Sequence, residues 1–185
     1  MIEFKYHRPL YSQGHMICID GVLYYLARFN SSRSKKKTVI ACFDVRSEKF
    51  SFINIDDESM AKSSTLINYK GRLGAVQFTS TNQRTLRLWL LEEAAGINKW
   101  STNIYKLTFS WKHPCTNRFK IVGMTRTCYI VLSPCMVSDA FYVIYYNIER
   151  NTLAKTEVQW LECRGDAVYT FQDYVEDPQL MKSLY

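Results

Sequence analysis

The stretch Thr38–Ile55, TVIACFDVRSEKFSFINI, indicates how the chain folds, because it contains two β-strand patterns separated by a polar break. Its first half is rich in β-branched and bulky apolar residues, which strands favour. In its second half Phe50 and Phe52 alternate with Ser51, and this period of two is typical of a half-buried strand. The polar residues Asp44, Arg46, Ser47, Glu48 and Lys49 supply the break between the two halves. The stretch therefore predicts a β-hairpin whose chain reverses at these residues.

Working outward, the same plan occurs three times, with two further strand patterns before each hairpin. The first unit has His15–Ile19 and Val22–Arg28, joined by the turn signal Asp20-Gly21, before the two strands of Thr38–Ile55. The second unit has Thr65–Tyr69, Arg72–Phe78, Leu86–Leu91 and Lys99–Leu107. The third unit has Phe119–Met124, Cys128–Ser133, Phe141–Tyr146 and Leu153–Trp160. Polar loops are expected at Phe29–Lys37, Ile55–Ser64, Thr79–Arg84, Glu92–Asn98 and Pro134–Asp139.

The spacing of these units predicts the architecture. Equivalent turns begin at Asp44, Glu92 and Asn147, and four strands repeating about every 50 residues are typical of propeller blades. We predict an all-β fold, a partial β-propeller of about three four-stranded antiparallel blades plus one extra strand at Ala167–Phe171. A β-sandwich or a barrel with chance spacing is the alternative.

The composition is that of one folded domain covering residues 1–185, with a loosely packed polar tail at 172–185. Hydrophobic residues make up 47% of the 185 residues, which is enough for a packed core. No apolar run approaches the roughly 20 residues of a membrane span, and the N-terminus lacks a signal-type apolar segment. We expect a cytoplasmic or nuclear location.

The sequence contains no recognisable catalytic or metal-binding constellation. The six cysteines form no CxxC pair, so we interpret them as reduced, buried thiols; zinc ligation or disulfides are the alternatives. The three adjacent acids Asp56, Asp57 and Glu58 are interpreted as a solvated turn, because no histidine or metal-ligand spacing accompanies them. We expect a protein that is not an enzyme and needs no cofactor or metal.

Two kinds of residue are candidates for binding. Trp89 lies inside a strand pattern and is interpreted as core. Trp111 lies in a connector and is the better candidate for an exposed contact, although burial is the favoured interpretation for it as well. The loop at Arg33–Lys37 is basic and contributes to a net charge of +7. It is interpreted as a solvated loop, with nuclear import or a phosphate contact as alternatives.

Several ordered segments resemble a known family, the F-box associated β-propeller, type 3, of plant F-box proteins. They are CIDGVLYYLAR (Cys18–Arg28), IACFDVRSEKFSFI (Ile40–Ile53), LINYKGRLGAV (Leu66–Val76), LRLWLLE (Leu86–Glu92), KWS (Lys99–Ser101), IVLSP (Ile130–Pro134), FYVIYYNIERNT (Phe141–Thr152) and VYTFQDYVED (Val168–Asp177). The resemblance covers nearly the whole chain.

The resemblance implies a non-catalytic protein-binding module, similar to the substrate-recruiting part of an SCF-type E3 ubiquitin ligase. No F-box-like segment lies before His15, so we do not expect this polypeptide to bind the Skp adaptor and cullin. We expect instead the C-terminal part of a longer design, with unclosed faces that favour self-association. The target protein is not identified by the sequence.

Target binding is assigned to loops, because loops on a rigid scaffold carry recognition. The candidate partner-binding residues are Asn30, Arg33, Lys35, Lys36, Lys37, Asn82, Arg84, Trp111, Met136 and Asp139. Two alternatives remain: a nucleic-acid-binding β protein that uses the basic loop, and a non-functional truncated family remnant.

Overall fold

A computed structural model describes residues 10–11, 16–30, 36–55, 57–79, 85–94, 97–107, 119–136, 141–158 and 170. The first sheet contains β1 (Leu10–Tyr11), β2 (Ile17–Ile19), β3 (Val22–Asn30), β4 (Lys36–Asp44) and β5 (Lys49–Asn54). A short helix, α1 (Met60–Ser63), leads to the second sheet, β6 (Thr65–Tyr69), β7 (Arg72–Phe78), β8 (Thr85–Ala94) and β9 (Ile97–Lys106). The third sheet contains β10 (Phe119–Met124), β11 (Tyr129–Pro134), β12 (Phe141–Asn147) and β13 (Thr152–Val158).

Each sheet is an antiparallel meander, so the predicted all-β architecture of four-stranded blades is confirmed. We call these sheets blades 1, 2 and 3. In blade 1, β1 and β2 both pair with β3, and together they occupy the place of one first strand. The extra strand predicted at Ala167–Phe171 lies outside the described residues, except for Thr170.

The hairpin of the opening stretch forms as predicted. Phe43 pairs with Phe50, and their ring centroids lie 4.6 Å apart on one face of blade 1. At the reversal the Asp44 carboxylate accepts hydrogen bonds from the backbone N–H groups of Arg46 (2.9 Å) and Ser47 (2.7 Å). A short acidic side chain that bonds its own backbone in this way stabilises a turn without proline or glycine.

The turn predicted at Asp20-Gly21 is also confirmed. Both residues have positive φ (50° and 83°), as a two-residue turn between twisted strands requires. Lys70 and Gly71 repeat the geometry between β6 and β7, with φ values of 52° and 83°.

Several strands extend further than the sequence pattern predicted. The predicted turn Glu92–Asn98 is mostly strand, because β8 continues to Ala94 and β9 begins at Ile97. The predicted loop Phe29–Lys37 is likewise shortened by pairing between Asn30 and Lys36. Ladder hydrogen bonds use backbone groups, so polar and small residues can extend a strand at its exposed ends.

Two short elements were not predicted. β1 lies before the first predicted strand, whose described part is Ile17–Ile19 rather than His15–Ile19. The connector Ile55–Ser64, expected to be polar loop, contains α1, whose Met60 is fully buried. Met60 is a large apolar side chain in an otherwise polar segment, and its burial fixes the connector against the core.

Blade 2 is buried on both faces, and this arrangement holds the three sheets together. Along β8, Leu86, Leu88 and Leu90 pack against blade 3, while Trp89 between them packs against blade 1. In β6 the neighbours Leu66 and Ile67 also belong to opposite faces. Alternate side chains of a strand point to opposite faces, so a run of apolar residues serves two interfaces at once.

The first strands of the blades are neighbours, as they are around a propeller axis. β6 contacts both β2 and β10. The Thr65 hydroxyl donates to the backbone carbonyl of Ile121 at 3.2 Å, which joins the first strands of blades 2 and 3. The arrangement is that of a partial β-propeller.

Further apolar side chains lie on the outer faces of the flanking blades. Ala27, Val39 and Ala41 are buried on blade 1, and Val122, Val131 and Val143 are buried on blade 3. On the blade 3 face, the buried Ser133 hydroxyl and the Thr170 hydroxyl lie 2.7 Å apart.

The close contact of β7 and β8 gives a test of this packing. A Cβ added at Gly74 would lie 3.0 Å from the backbone oxygen of Trp89 and 3.0 Å from Leu90 Cδ2. We expect Gly74→Ala to lower the free energy of unfolding by about 1–3 kcal/mol, because a backbone atom cannot move aside cheaply. Urea denaturation measures the loss. Thr102→Ala, at an exposed position of β9, is the control and should change it by less than about 0.5 kcal/mol. Equal stability of Gly74→Ala and the wild type would contradict the packing.

Candidate functional site

The loops between the second and third strands of the blades are directed to one end of the sheets, which we call the loop rim. Residues 31–35 are closed by the pair Asn30–Lys36, and residues 80–84 by the backbone N–H of Thr79 donating to Thr85 at 2.9 Å. The third loop, 137–140, follows β11 and precedes β12. Blade 1 continues to blade 2 through the connector 55–64, which lies at the same end.

The opposite end, which we call the turn rim, is formed by the short hairpin turns. There Glu149 of the β12–β13 turn accepts hydrogen bonds from the Tyr69 hydroxyl (2.9 Å) and from the Lys70 ammonium group. The lysine and the tyrosine hydroxyl hold the pKa of the Glu149 carboxyl below its ordinary value. These contacts place the turns of blades 2 and 3 at the same rim.

Four of the predicted partner-binding residues are among those that the structure describes, and three of the four lie in strands rather than in loops. Asn30, Lys36 and Lys37 belong to the ends of β3 and β4 rather than to a loop. Met136 follows β11 and is 48% exposed. The remaining candidates, Arg33, Lys35, Asn82, Arg84, Trp111 and Asp139, lie outside the described residues.

A polar cluster that the sequence interpretation missed lies on the loop rim at the junction of blades 1 and 2. Asp57 Oδ2 accepts hydrogen bonds from Trp89 Nε1 (3.2 Å) and from Arg87 Nη1 (3.4 Å). Arg87 Nη1 also lies 3.2 Å from Ser59 Oγ. We call Asp57, Ser59, Arg87 and Trp89 the rim cluster.

The rim cluster corrects the interpretation of Asp57 as part of a solvated turn. The Asp57 side chain is 40% exposed and its other oxygen, Oδ1, accepts from the backbone N–H (2.8 Å) and hydroxyl (2.6 Å) of Ser59. These Ser59 bonds, with smaller contributions from Trp89 and Arg87, hold the pKa of Asp57 below its ordinary value despite partial burial. Asp56 lies outside the described residues, and Glu58 is exposed.

Trp89 confirms the prediction of a core tryptophan and also supplies a polar contact. Its side chain is 1% exposed between blades 1 and 2, so its indole N–H needs a partner, which Asp57 provides. The Arg87 guanidinium carbon lies 5.6 Å from the centre of the Trp89 ring, within cation–π range.

The described cysteines differ from the expectation of uniformly buried thiols. Cys42 and Cys128 are buried, but Cys18 is exposed and Cys135 is half-buried. Burial raises the pKa of the Cys42 thiol to about 11, with an opposing hydrogen bond from Ser51. Cys115 and Cys163 lie outside the described residues.

Within the part of the chain that the structure describes, no group of three His, Cys, Asp or Glu side chains could hold a metal ion. None of the described helices is long and apolar enough to cross a membrane.

Three antiparallel blades with neighbouring first strands define a protein of the β-propeller class. The family model of the F-box associated β-propeller domain matches residues 1–175, and the chain belongs to that family. The resemblance identified from the sequence is therefore confirmed.

Similar proteins include F-box proteins of Arabidopsis thaliana. F-box protein At1g53790 is 43% identical over 177 residues, which cover 94% of this chain and 39% of the relative. F-box protein At5g65850 is 39% identical, covering 91% of this chain and 44% of the relative. F-box protein DOR is 37% identical, and the match covers 89% of this chain and 42% of the relative. The chain thus spans about two fifths of the length of these relatives. No solved structure matches the chain.

The rim cluster predicts an acid-sensitive contribution to stability. We expect Asp57→Asn to lower the free energy of unfolding by about 1 kcal/mol at pH 7, because a partly exposed charged acceptor loses its charge. A carboxyl whose folded-state pKa is lowered stabilises the fold above its unfolded pKa of about 3.9, and the effect disappears as pH falls through the folded-state value. Denaturant titrations at several pH values measure both effects.

Glu58→Gln is the matched control, because it removes the same charge from an exposed neighbour. Its stability should follow the wild type at every pH. A difference between Asp57→Asn and the wild type that persists unchanged at pH 2 would contradict the electrostatic explanation.

The thiols give an independent prediction. A pKa of about 11 leaves Cys42 with roughly 240-fold less thiolate at pH 8 than an ordinary thiol of pKa about 8.5, and burial adds protection. Among the four described cysteines, we expect iodoacetamide to modify the exposed Cys18 first and to modify Cys42 only when the chain unfolds. Peptide-level mass spectrometry over time measures each site, and rapid labelling of Cys42 in the folded chain would contradict its placement.

Proposed function

We propose that this chain is a non-catalytic, target-recruiting module of the kind that F-box proteins use in SCF-type ubiquitin ligases. The observation that supports the proposal is membership of the F-box associated β-propeller family over residues 1–175. The relatives that carry the same region are called F-box proteins. A propeller supplies a rigid frame whose rims present loops to a partner.

We assign target binding to the loop rim rather than to the turn rim. The loop rim carries the three connections between second and third strands, which are longer than the hairpin turns and include residues 31–35, 80–84 and 137–140, and it also carries the rim cluster. On the turn rim the described connections are tight turns that contact one another through Lys70 and Glu149. Longer connections can vary in sequence without loss of the fold, which suits a surface that selects partners.

A recruiting module acts where its target and the ligase meet, so we propose the cytoplasm or the nucleus. Binding of the Skp adaptor and the cullin is a function of an F-box, and recovery of both proteins with the wild-type chain in the affinity purification described below would link the chain to the ligase. Self-association through the outer faces of blades 1 and 3 is measured by sedimentation of the purified chain.

Loop replacement tests the assignment of the loop rim. We expect a variant with Gly/Ser sequences at 31–35, 80–84 and 137–140 to lose target capture while it keeps the fold, since the strand pairs that close these loops are retained. Affinity purification from Arabidopsis thaliana extract, with quantitative mass spectrometry, compares the proteins retained by the wild type and the variant. Circular dichroism confirms that the variant remains β-rich.

The control changes exposed residues of the turn rim, Arg46 and Arg126, to serine. It should retain the same proteins as the wild type. If the loop variant captures the wild-type set while the turn-rim control loses it, the binding surface has been assigned to the wrong rim.

A further inference from the structure

The outermost strand of blade 2 is a long open edge of its sheet. β9 pairs with β8 over ten consecutive positions without a bulge. On its other side no strand pairs with it among the described residues, because β9 ends the order β6-β7-β8-β9. The outward N–H and C=O groups of such a strand are a template for pairing with another strand. An edge of this kind needs either protection or a partner.

The usual protections are missing from the middle of β9. Natural sheets protect their edges by short strands, bulges, proline or charged side chains. β9 has ten residues, and its two charged residues, Lys99 and Lys106, lie near its ends. Residues 100–105, WSTNIY, are uncharged. The outer strands of the other blades differ, because β5 has six residues and β13 has seven with Lys155 at its centre.

The uncharged stretch also exposes an apolar side chain. Ile104 is 58% exposed, more than any other large apolar side chain that the structure describes. Trp100, Thr102 and Ile104 share one face of β9, since alternate residues of a strand do. The Trp100 indole N–H donates to the backbone oxygen of Asn54 at 3.1 Å, which orients the ring toward blade 1. Arg87 lies opposite Ile104 in β8, and its guanidinium is bound to the connector.

The sequence of β9 is complementary to itself when two copies run antiparallel. Directly opposed residues of an antiparallel pair point to the same face of the sheet, so a two-fold axis between two β9 strands passes through a residue position. With the axis at Thr102, Trp100 of each copy lies opposite Ile104 of the other. An aromatic residue opposite a β-branched residue stabilises a strand pair, and the symmetry produces this contact twice.

The charges of β9 are compatible with this register. Lys99 of each copy lies opposite Tyr105 of the other, and Lys106 lies opposite Asn98. No like charges are therefore directly opposed, which would destabilise the pair. Within blade 2, Lys99 also lies opposite the acidic Glu92 of β8. The nine positions from Asn98 to Lys106 can pair without a charge conflict.

We propose that the outer edge of β9 is a self-association site, at which two copies of this chain join their β9 strands antiparallel about a two-fold axis at Thr102. The two copies of blade 2 then form one continuous sheet with four strands from each copy. The inference goes beyond the proposed function, because it uses the outer side of blade 2 rather than the loops of either rim. Since the strands are antiparallel, the two loop rims face in opposite directions, and the dimer holds one target at each end.

Substitutions on the edge predict specific changes in the dimer dissociation constant. Ile104→Asn should raise it roughly tenfold, because two contacts with Trp100 are lost. Thr102→Lys and Thr102→Glu should each raise it roughly threefold to tenfold, because like charges then face each other across the axis. An equimolar mixture of these two variants should associate at least as tightly as the wild type, since opposite charges are then opposed. A merely structural effect of either substitution does not produce this rescue.

The experiment measures self-association of the purified whole chain. Sedimentation velocity over a series of concentrations gives the dissociation constant of the wild type, of each variant and of the mixture. Leu153→Asn is the matched control, because it makes the same kind of change at an exposed apolar residue on the outer strand of blade 3. Hydrogen exchange with mass spectrometry follows the backbone amides of residues 98–106 on dilution, and circular dichroism shows that each variant keeps its β-rich fold.

The expected result is a reversible wild-type dimer, weakened by the three edge substitutions, restored in the mixture and unchanged in Leu153→Asn. Amides of β9 should exchange faster as the dimer is diluted. A wild-type chain that stays monomeric overturns the proposal. Wild-type association of folded Ile104→Asn and Thr102→Lys also overturns it, because the contact then uses another surface, such as the outer faces of blades 1 and 3. A mixture that associates no better than its separate components overturns the two-fold register and the proposal with it.

The proposed function fails in a different way. The chain with Gly/Ser sequences at 31–35, 80–84 and 137–140 keeps β9 and should dimerise like the wild type, whatever its effect on target capture. Loss of dimerisation by Ile104→Asn and loss of target capture by loop replacement are therefore separate results.

Discussion

Blade 2 has to bury both of its faces, and the rest of the structure depends on this constraint. A sheet with one buried face can alternate apolar and polar residues, but β8 places leucines against blade 3 and Trp89 against blade 1. Neither flanking blade can be removed without exposing one of these faces to water. Within blade 2 itself, the approach of Leu90 and the Trp89 backbone leaves no room for a side chain at Gly74. The stability of each interface is therefore shared between two sheets.

The sequence predicted those parts of the fold that follow from local chemistry. Period-two patterns identified the strands around Phe43 and Phe50, and Asp20-Gly21 identified a turn that needs positive φ. The ends of β8 and β9 were missed because residues such as Glu92 resemble a turn in composition, while their pairing uses only backbone groups. Helix α1 was missed because four residues show no helical period, and the burial of Met60 that fixes it is a tertiary effect.

The candidate site was less accessible to sequence reasoning than the fold. The loops were identified by position in a repeat, but the rim cluster joins Asp57 to Arg87 and Trp89, which lie about 30 residues further along the chain. Three adjacent acids in a polar connector gave no signal that one of them would accept a hydrogen bond from a buried indole. The one available signal was Trp89 itself, because a core tryptophan requires a partner for its N–H and that partner has to lie nearby.

The rim cluster joins the connector to blade 2 through one carboxylate, that of Asp57. Asp57 satisfies the Trp89 indole and thereby fixes the connector between blades 1 and 2. Once fixed, the connector holds a carboxylate beside Arg87 at a distance where the attraction is modest. A shorter, bidentate pair would stabilise the chain more, but Asp57 Oδ1 already accepts from the backbone N–H and hydroxyl of Ser59. The bond to the indole, which satisfies a donor on a fully buried side chain, therefore holds the carboxylate more firmly than the long, partly exposed ion pair does.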